Sequence, residues 1–168
     1  MAAKTAGTWV SIDATKVGIN PDSTVGTTQL YPLGFKVKAK DVGSTAYGEG
    51  EFIYLEGVAS TVRGSVVLIT DDFATSLLAA RDKGDVAVAL GACVASNYGW
   101  YQIFGRGVAA CDTVADQAAC YIDGTNGRID DAAVLGDAVM GMRTSSTDDT
   151  NTCVVYMNYP KVGDFDNA

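Results

Sequence analysis

The chain reads as a mainly β protein, an antiparallel sandwich or small barrel with at most one short helix and an extended N-terminal arm. Three observations predict this. The acids are 17 Asp against three Glu, whereas helical proteins carry acid as Glu because Asp competes with the helix backbone and favours caps and turns. Nineteen Gly and 16 Thr among 168 residues fit many turns joined by short strands. From residue 85 onward, strand-like runs recur at roughly 8–12-residue spacing, as in antiparallel sandwiches and barrels.

The elements follow in order. Residues 1–28 hold few core formers, with Trp9, Val10, Ile12, Val17 and Ile19 isolated among Thr, Ser, Gly and Asn. They read as an extended arm ordered by docking on another surface, or as a plain disordered terminus. The β-rich domain spans residues 29–160, with a tail at 161–168. LYPLGFKVKAK (30–40) opens it, and Phe35, Val37 and Ala39 alternate with Lys36, Lys38 and Lys40. That period of two puts three lysines on one strand face, suited to a protected edge strand or to an acidic partner surface. EFIYL (51–55) is a strand, followed by strands at 58–62 and 65–70. TSLLAARDK (75–83) is the best helix candidate, with Gly84 as its stop. Further strands are expected at 86–90, 93–96, 99–104, 108–111, 118–122, 138–143 and 152–157. Gly105-Arg106-Gly107 is read as a turn, and DGTNG (123–127) as another.

Composition narrows function. There is no His, which removes Ser/His/Asp and Cys/His catalysis and any His-bearing zinc site, so the chain is read as a non-enzyme. The formal charge is −8, which argues against nucleic-acid or anionic-membrane partners. Residues 1–84 carry nine acids and eight bases, residues 85–168 eleven acids and four bases. The near-neutral half is therefore expected to face a partner and the acidic half solvent. No apolar run reaches the roughly 20 residues of a membrane helix. Met1 to Gly7 shows no apolar signal region, so a product made in a reducing cytoplasm is expected, with Cys93, Cys111, Cys120 and Cys153 serving as buried small hydrophobes.

The densest polar group is DGTNGRIDD (123–131). It offers hard oxygen ligands but has neither the alternating acids nor the closing Glu of an EF-hand, and hairpin geometry accounts for its Asp-Gly and Asn-Gly steps. No metal or cofactor is expected. In YGWYQIF (98–104), Trp100 and Gln102 point one way and Tyr101 and Ile103 the other, as a two-sided core or a subunit interface requires. Sugar stacking is the other use of such aromatics.

The order of segments resembles small head proteins of tailed bacteriophages that decorate or cement the capsid exterior. The matching pieces are TQLYPLGFKVKAKD (28–41), GEGEFIYLEGVAST (48–61), GDVAVALGACVASNYGWYQIFGRGVA (84–109) and DGTNGRIDDAAVLGDAVMGM (123–142). The resemblance implies a β-rich virion protein, usually a homotrimer, that sits on the major capsid protein lattice and stabilises it, often through an N-terminal arm. The chain departs from small decoration proteins in its length and its cysteines. Shell attachment is expected through Trp9, Val10 and Ile12, with Leu30, Tyr31, Pro32 and Leu33 where the body begins, and self-association through Tyr98, Trp100 and Tyr101. The alternative is a virion-surface binding module, a head-fibre base or glycan-recognising domain.

Overall fold

The computed structural model describes residues 7–43 and 46–163. Its elements are β1 (Trp9–Ser11), β2 (Lys36–Asp41), β3 (Glu49–Glu56), β4 (Val66–Ile69), β5 (Thr75–Leu77), β6 (Gly84–Ala89), β7 (Tyr98–Ala110), β8 (Ala119–Ile122), β9 (Ile129–Asp130), β10 (Ala138–Thr144) and β11 (Thr152–Val162). All belong to one antiparallel sheet ordered β1-β2-β3-β7-β6-β11-β10-β8-β9, from which β4 and β5 branch off β6. No helix occurs among the described residues.

The spine is β7, thirteen residues long. Its first half pairs with β3, from Glu56↔Tyr98 to Gly50↔Gly105. Its second half pairs with β11, from Asn158↔Phe104 to Thr152↔Ala110. Gly105 sits at the changeover with φ +91, a conformation that costs other residues about 1–2 kcal/mol. The amide of Gln102 lies inside this bend, donating to the Phe104 carbonyl (3.0 Å) and the Arg106 carbonyl (2.9 Å). Gly105-Arg106-Gly107 is thus a bend within one strand, which corrects the expected turn and joins the expected strands at 99–104 and 108–111.

The branch and the carboxyl-terminal strands curl toward each other around a first core. The Val66 N–H donates to the Gly127 carbonyl (2.9 Å) and the Gly127 N–H to the Leu78 carbonyl (2.8 Å), tying β4 and the end of β5 to the turn between β8 and β9. Inside lie Val66, Val86, Val88, Ile122, Ile129, Val155 and Met157, together with Cys111, Cys120 and Cys153. A second core fills the space between the arm and the β2–β3–β7 face, around Trp9, Val37, Phe52, Tyr54 and Trp100. A third lies on the other face, around Ile53, Leu55, Val67, Tyr101 and Ile103. The alternation expected of YGWYQIF holds, since Trp100 belongs to the second core and Tyr101 and Ile103 to the third.

Several boundaries differ from expectation. TSLLAARDK forms no helix: Thr75–Leu77 pairs with β4 and Leu78 is fully buried in the first core. Residues 58–62 and 93–96 are loops, because turn bonds such as Thr61 N–H to the Val58 carbonyl (3.2 Å) and Asn97 N–H to the Val94 carbonyl (3.0 Å) take up their backbone locally. Lys161 and Val162, assigned to the tail, complete β11. β2 is not an edge, since β1 covers its outer side from Ala39 to Asp41. The true ends of the sheet, β1, β5 and β9, are two or three residues long. Edges this short offer little template for a foreign strand.

Candidate docking surfaces

The described part of the arm is built into the body. Trp9 pairs with Asp41 and Val10 with Lys40, so alternate residues point inward and outward. Trp9 points inward, 4% exposed, with its ring 4.7 Å from Phe52 and 6.2 Å from Tyr47. The buried Asp41 carboxylate holds the entry to the strand, accepting from the Thr8 N–H (3.0 Å) and the Gly43 N–H (3.1 Å). Further on, Gly26 and Tyr98 exchange backbone bonds of 3.2 and 2.8 Å. Removing a buried indole costs about 3–5 kcal/mol, so the arm cannot be cut away without disturbing the second core.

This geometry divides the seven residues expected to meet a shell. Val10, Ile12, Leu30 and Pro32 are exposed, Leu30 at 71%. Tyr31 and Leu33 are half-buried against the second core, where the Tyr31 ring lies 5.2 Å from Tyr54 and 5.5 Å from Trp100. Trp9, Tyr31 and Leu33 therefore anchor the segment, and the other four form its outer surface. The trio expected to mediate self-association lies further inward. Trp100 (4% exposed) and Tyr101 (0%) are core residues of their own chain, and Tyr98 is half-buried beside them.

On the outer face of the β1–β2 pair, Val10 and Ile12 accompany the lysine row. Val10 pairs with Lys40, and the Ile12 N–H donates to the Lys38 carbonyl (3.0 Å). The row itself is as expected, with Lys36, Lys38 and Lys40 exposed and Val37 and Ala39 buried. Lys38 approaches Glu51 at 4.0 Å, and Glu51 accepts from the Tyr159 hydroxyl at 3.0 Å. From there an aromatic row crosses the sheet. Phe104 lies 5.4 Å from Tyr159 and 6.4 Å from Tyr156, and the Arg143 guanidinium lies 5.5 Å above the Tyr156 ring. Burial, then the Glu51 carboxylate, pushes the Tyr159 phenol above its ordinary pKa.

The opposite end of the sheet is acidic. Arg128 lies 3.7 Å from Asp112 and 3.9 Å from Asp123. Asp131 accepts from the Ala115 N–H (2.8 Å), and Asp148 from the Val114 N–H (3.2 Å). Burial, reinforced by Asp123, Asp131 and Asp112, raises the Asp130 pKa despite the Ala132 N–H bond that opposes the rise. These carboxylates brace turns, as the hairpin reading of DGTNGRIDD expects: Asp123–Arg128 turns β8 into β9, pairing Ile122 with Ile129. Among the described residues, no three His, Cys, Asp or Glu side chains gather in a way that could hold a metal ion.

Sequence reasoning missed the exposed aromatics Tyr156 and Tyr159, which belong to a strand whose alternation was visible. It also missed the exposed Val134 and Leu135, whose signal is an apolar run, Ala132 to Leu135, inside an acidic turn-rich stretch. No family model, curated protein or solved structure matches the chain.

Proposed function

We propose that this chain is a structural virion protein that binds the outer surface of a tailed-phage capsid and stabilises the major capsid protein lattice. The observation that carries the reading is the strip at one end of the sheet, where the exposed Val10 and Ile12 lie beside Lys38 and Lys40, away from the aspartate-rich end. A chain of charge −8 gathers exposed apolar groups there with lysines set opposite Glu51 and Glu49, a mixed apolar and charged side suited to a protein surface. Its remaining acid keeps a densely arrayed protein soluble. Repetition over a lattice turns modest single contacts into durable attachment.

The test is co-sedimentation with purified shells. Val10→Asp with Ile12→Asp removes two aliphatic contacts worth about 1.5–3 kcal/mol each when fully buried, so binding is expected to weaken at least ~10-fold while the fold is kept. Undiminished binding by the double variant would overturn the attachment surface. The Tyr156–Phe104–Tyr159 row favours a second reading, glycan recognition at the virion surface, which retention on host polysaccharide and not on shells would identify.

A further inference from the structure

The loop between β9 and β10 carries four consecutive exposed apolar residues, Ala132 to Leu135. Leu135 is 85% exposed. The loop is nonetheless held in place. The Asp137 N–H donates to the Val134 carbonyl (3.2 Å), and Gly136 between them has φ +85. A glycine with positive φ at the third position of a four-residue turn is the type II arrangement, which lifts the second residue, Leu135, to the tip. Both flanks are tied down: the buried Asp137 carboxylate accepts from the Arg81 N–H (2.8 Å), and Asp130 accepts from the Ala132 N–H (3.2 Å). A leucine presented on a braced turn is a preorganised anchor, because little order remains to be lost when it docks.

A receptor for such an anchor exists elsewhere on the same chain. Where β6, β7 and β11 diverge, a groove of about 290 Å³ opens over Ile53, Ile69 and Ile103. Its jaws are Phe73 and Tyr159, both well exposed, and both in the left-handed backbone region, at φ +61 and +48. Bulky side chains rarely adopt that conformation, and such strain concentrates at binding sites. Lys36, Lys161 and Asp85 stand at the mouth, the last two paired at 3.1 Å, which leaves it a net positive charge from Lys36, whereas Asp130 and Asp131 immediately precede the apolar turn. Anchor and groove thus match in shape class and in sign of charge.

We infer that copies of this chain join head to tail, the Val134–Leu135 turn of one seated between Phe73 and Tyr159 of the next. The contact uses two different patches, so it propagates from copy to copy until rotation closes a ring. The inference deepens the proposed function by naming the surfaces through which neighbouring copies join, and its test needs no shell.

Purified full-length protein is followed by sedimentation velocity across a concentration series. Leu135→Asp puts a charge at the tip, and Tyr159→Asn removes one jaw with a residue that tolerates the left-handed conformation. Each variant alone is expected to self-associate at least ~10-fold more weakly than wild type, with an unchanged circular dichroism spectrum. Mixed in equal amounts, they are expected to form a two-chain species and nothing larger, since one keeps the groove and the other the turn. A wild type that stays monomeric throughout, a Leu135→Asp variant that associates normally, or a mixture that yields no pair would each overturn the inference. If Leu135→Asp fails to fold, Leu135→Ser serves in its place. Shell co-sedimentation of wild type, scored separately, decides the proposed function whatever the outcome here.

Discussion

Asp130 is a carboxylate whose ionisation the fold opposes. Burial and the neighbouring Asp123, Asp131 and Asp112 place its folded-state pKa above the ordinary 3.8. The folded chain therefore holds this proton to higher pH than the unfolded chain does. The stability it contributes is complete below the unfolded carboxylate range and is lost as pH rises through the folded value. At neutral pH the charged group is a liability, so Asp130→Asn, which keeps an acceptor for the Ala132 N–H, is expected to raise Tm at about pH 7 and leave it unchanged at about pH 3. Thermal melts at the two pH values check this, and an equal fall at both would refute it. At this scale the sequence was most informative where one residue's direction follows from its neighbours: Lys36, Lys38 and Lys40 face outward and Val37 and Ala39 inward because pleating alternates. It was least informative where direction depends on a distant partner. Trp9 reads as a free docking residue until Phe52 and Tyr47 are seen to enclose it.

Among the elements, β7 is the one on which the others depend, and its bend is its weakest point. A methyl group at Gly105 would lie 2.3 Å from the Glu49 carbonyl oxygen, on a backbone at φ +91. Overpacking and left-handed strain together are expected to make Gly105→Ala about 2–5 kcal/mol less stable. Urea unfolding checks this through a lower midpoint with an unchanged slope. The same glycine explains why the strand was read as two. A Gly-Arg-Gly step is compatible with a chain reversal or with a bend inside a continuous strand, and unbroken pairing with β11 from Phe104 to Ala110 decides for the bend. TSLLAARDK failed for a related reason, since three residues of strand draw their conformation from β4 rather than from their own propensity.

For the molecule as a whole, the first core encloses three of the four cysteines, and the fourth, Cys93, is buried in the third core. Burial, with Cys111 nearby, pushes the Cys120 thiol up to about 12, and burial also raises Cys93. All four are expected to stay inert to a thiol reagent such as DTNB at neutral pH while the chain is folded, and to react together on unfolding in urea, because thiolate and access appear at once. A thiol that titrates in the native protein would contradict the burial of all four. The mainly β class and the cysteines' role were legible because composition reports them directly. The tie between the β4–β5 branch and the β8–β9 turn was not, since it rests on bonds linking Val66 and Leu78 with Gly127, and the sequence holds no mark of which loop meets which strand. Strand β11, the last among the described residues, pairs with β6, β7 and β10. During synthesis from the amino end, those three strands wait with open edges until residues 152–162 leave the ribosome. Pairings this non-local belong to topologies that fold on the millisecond-to-second scale, and mispairing between nascent chains is the hazard of the interval before they form.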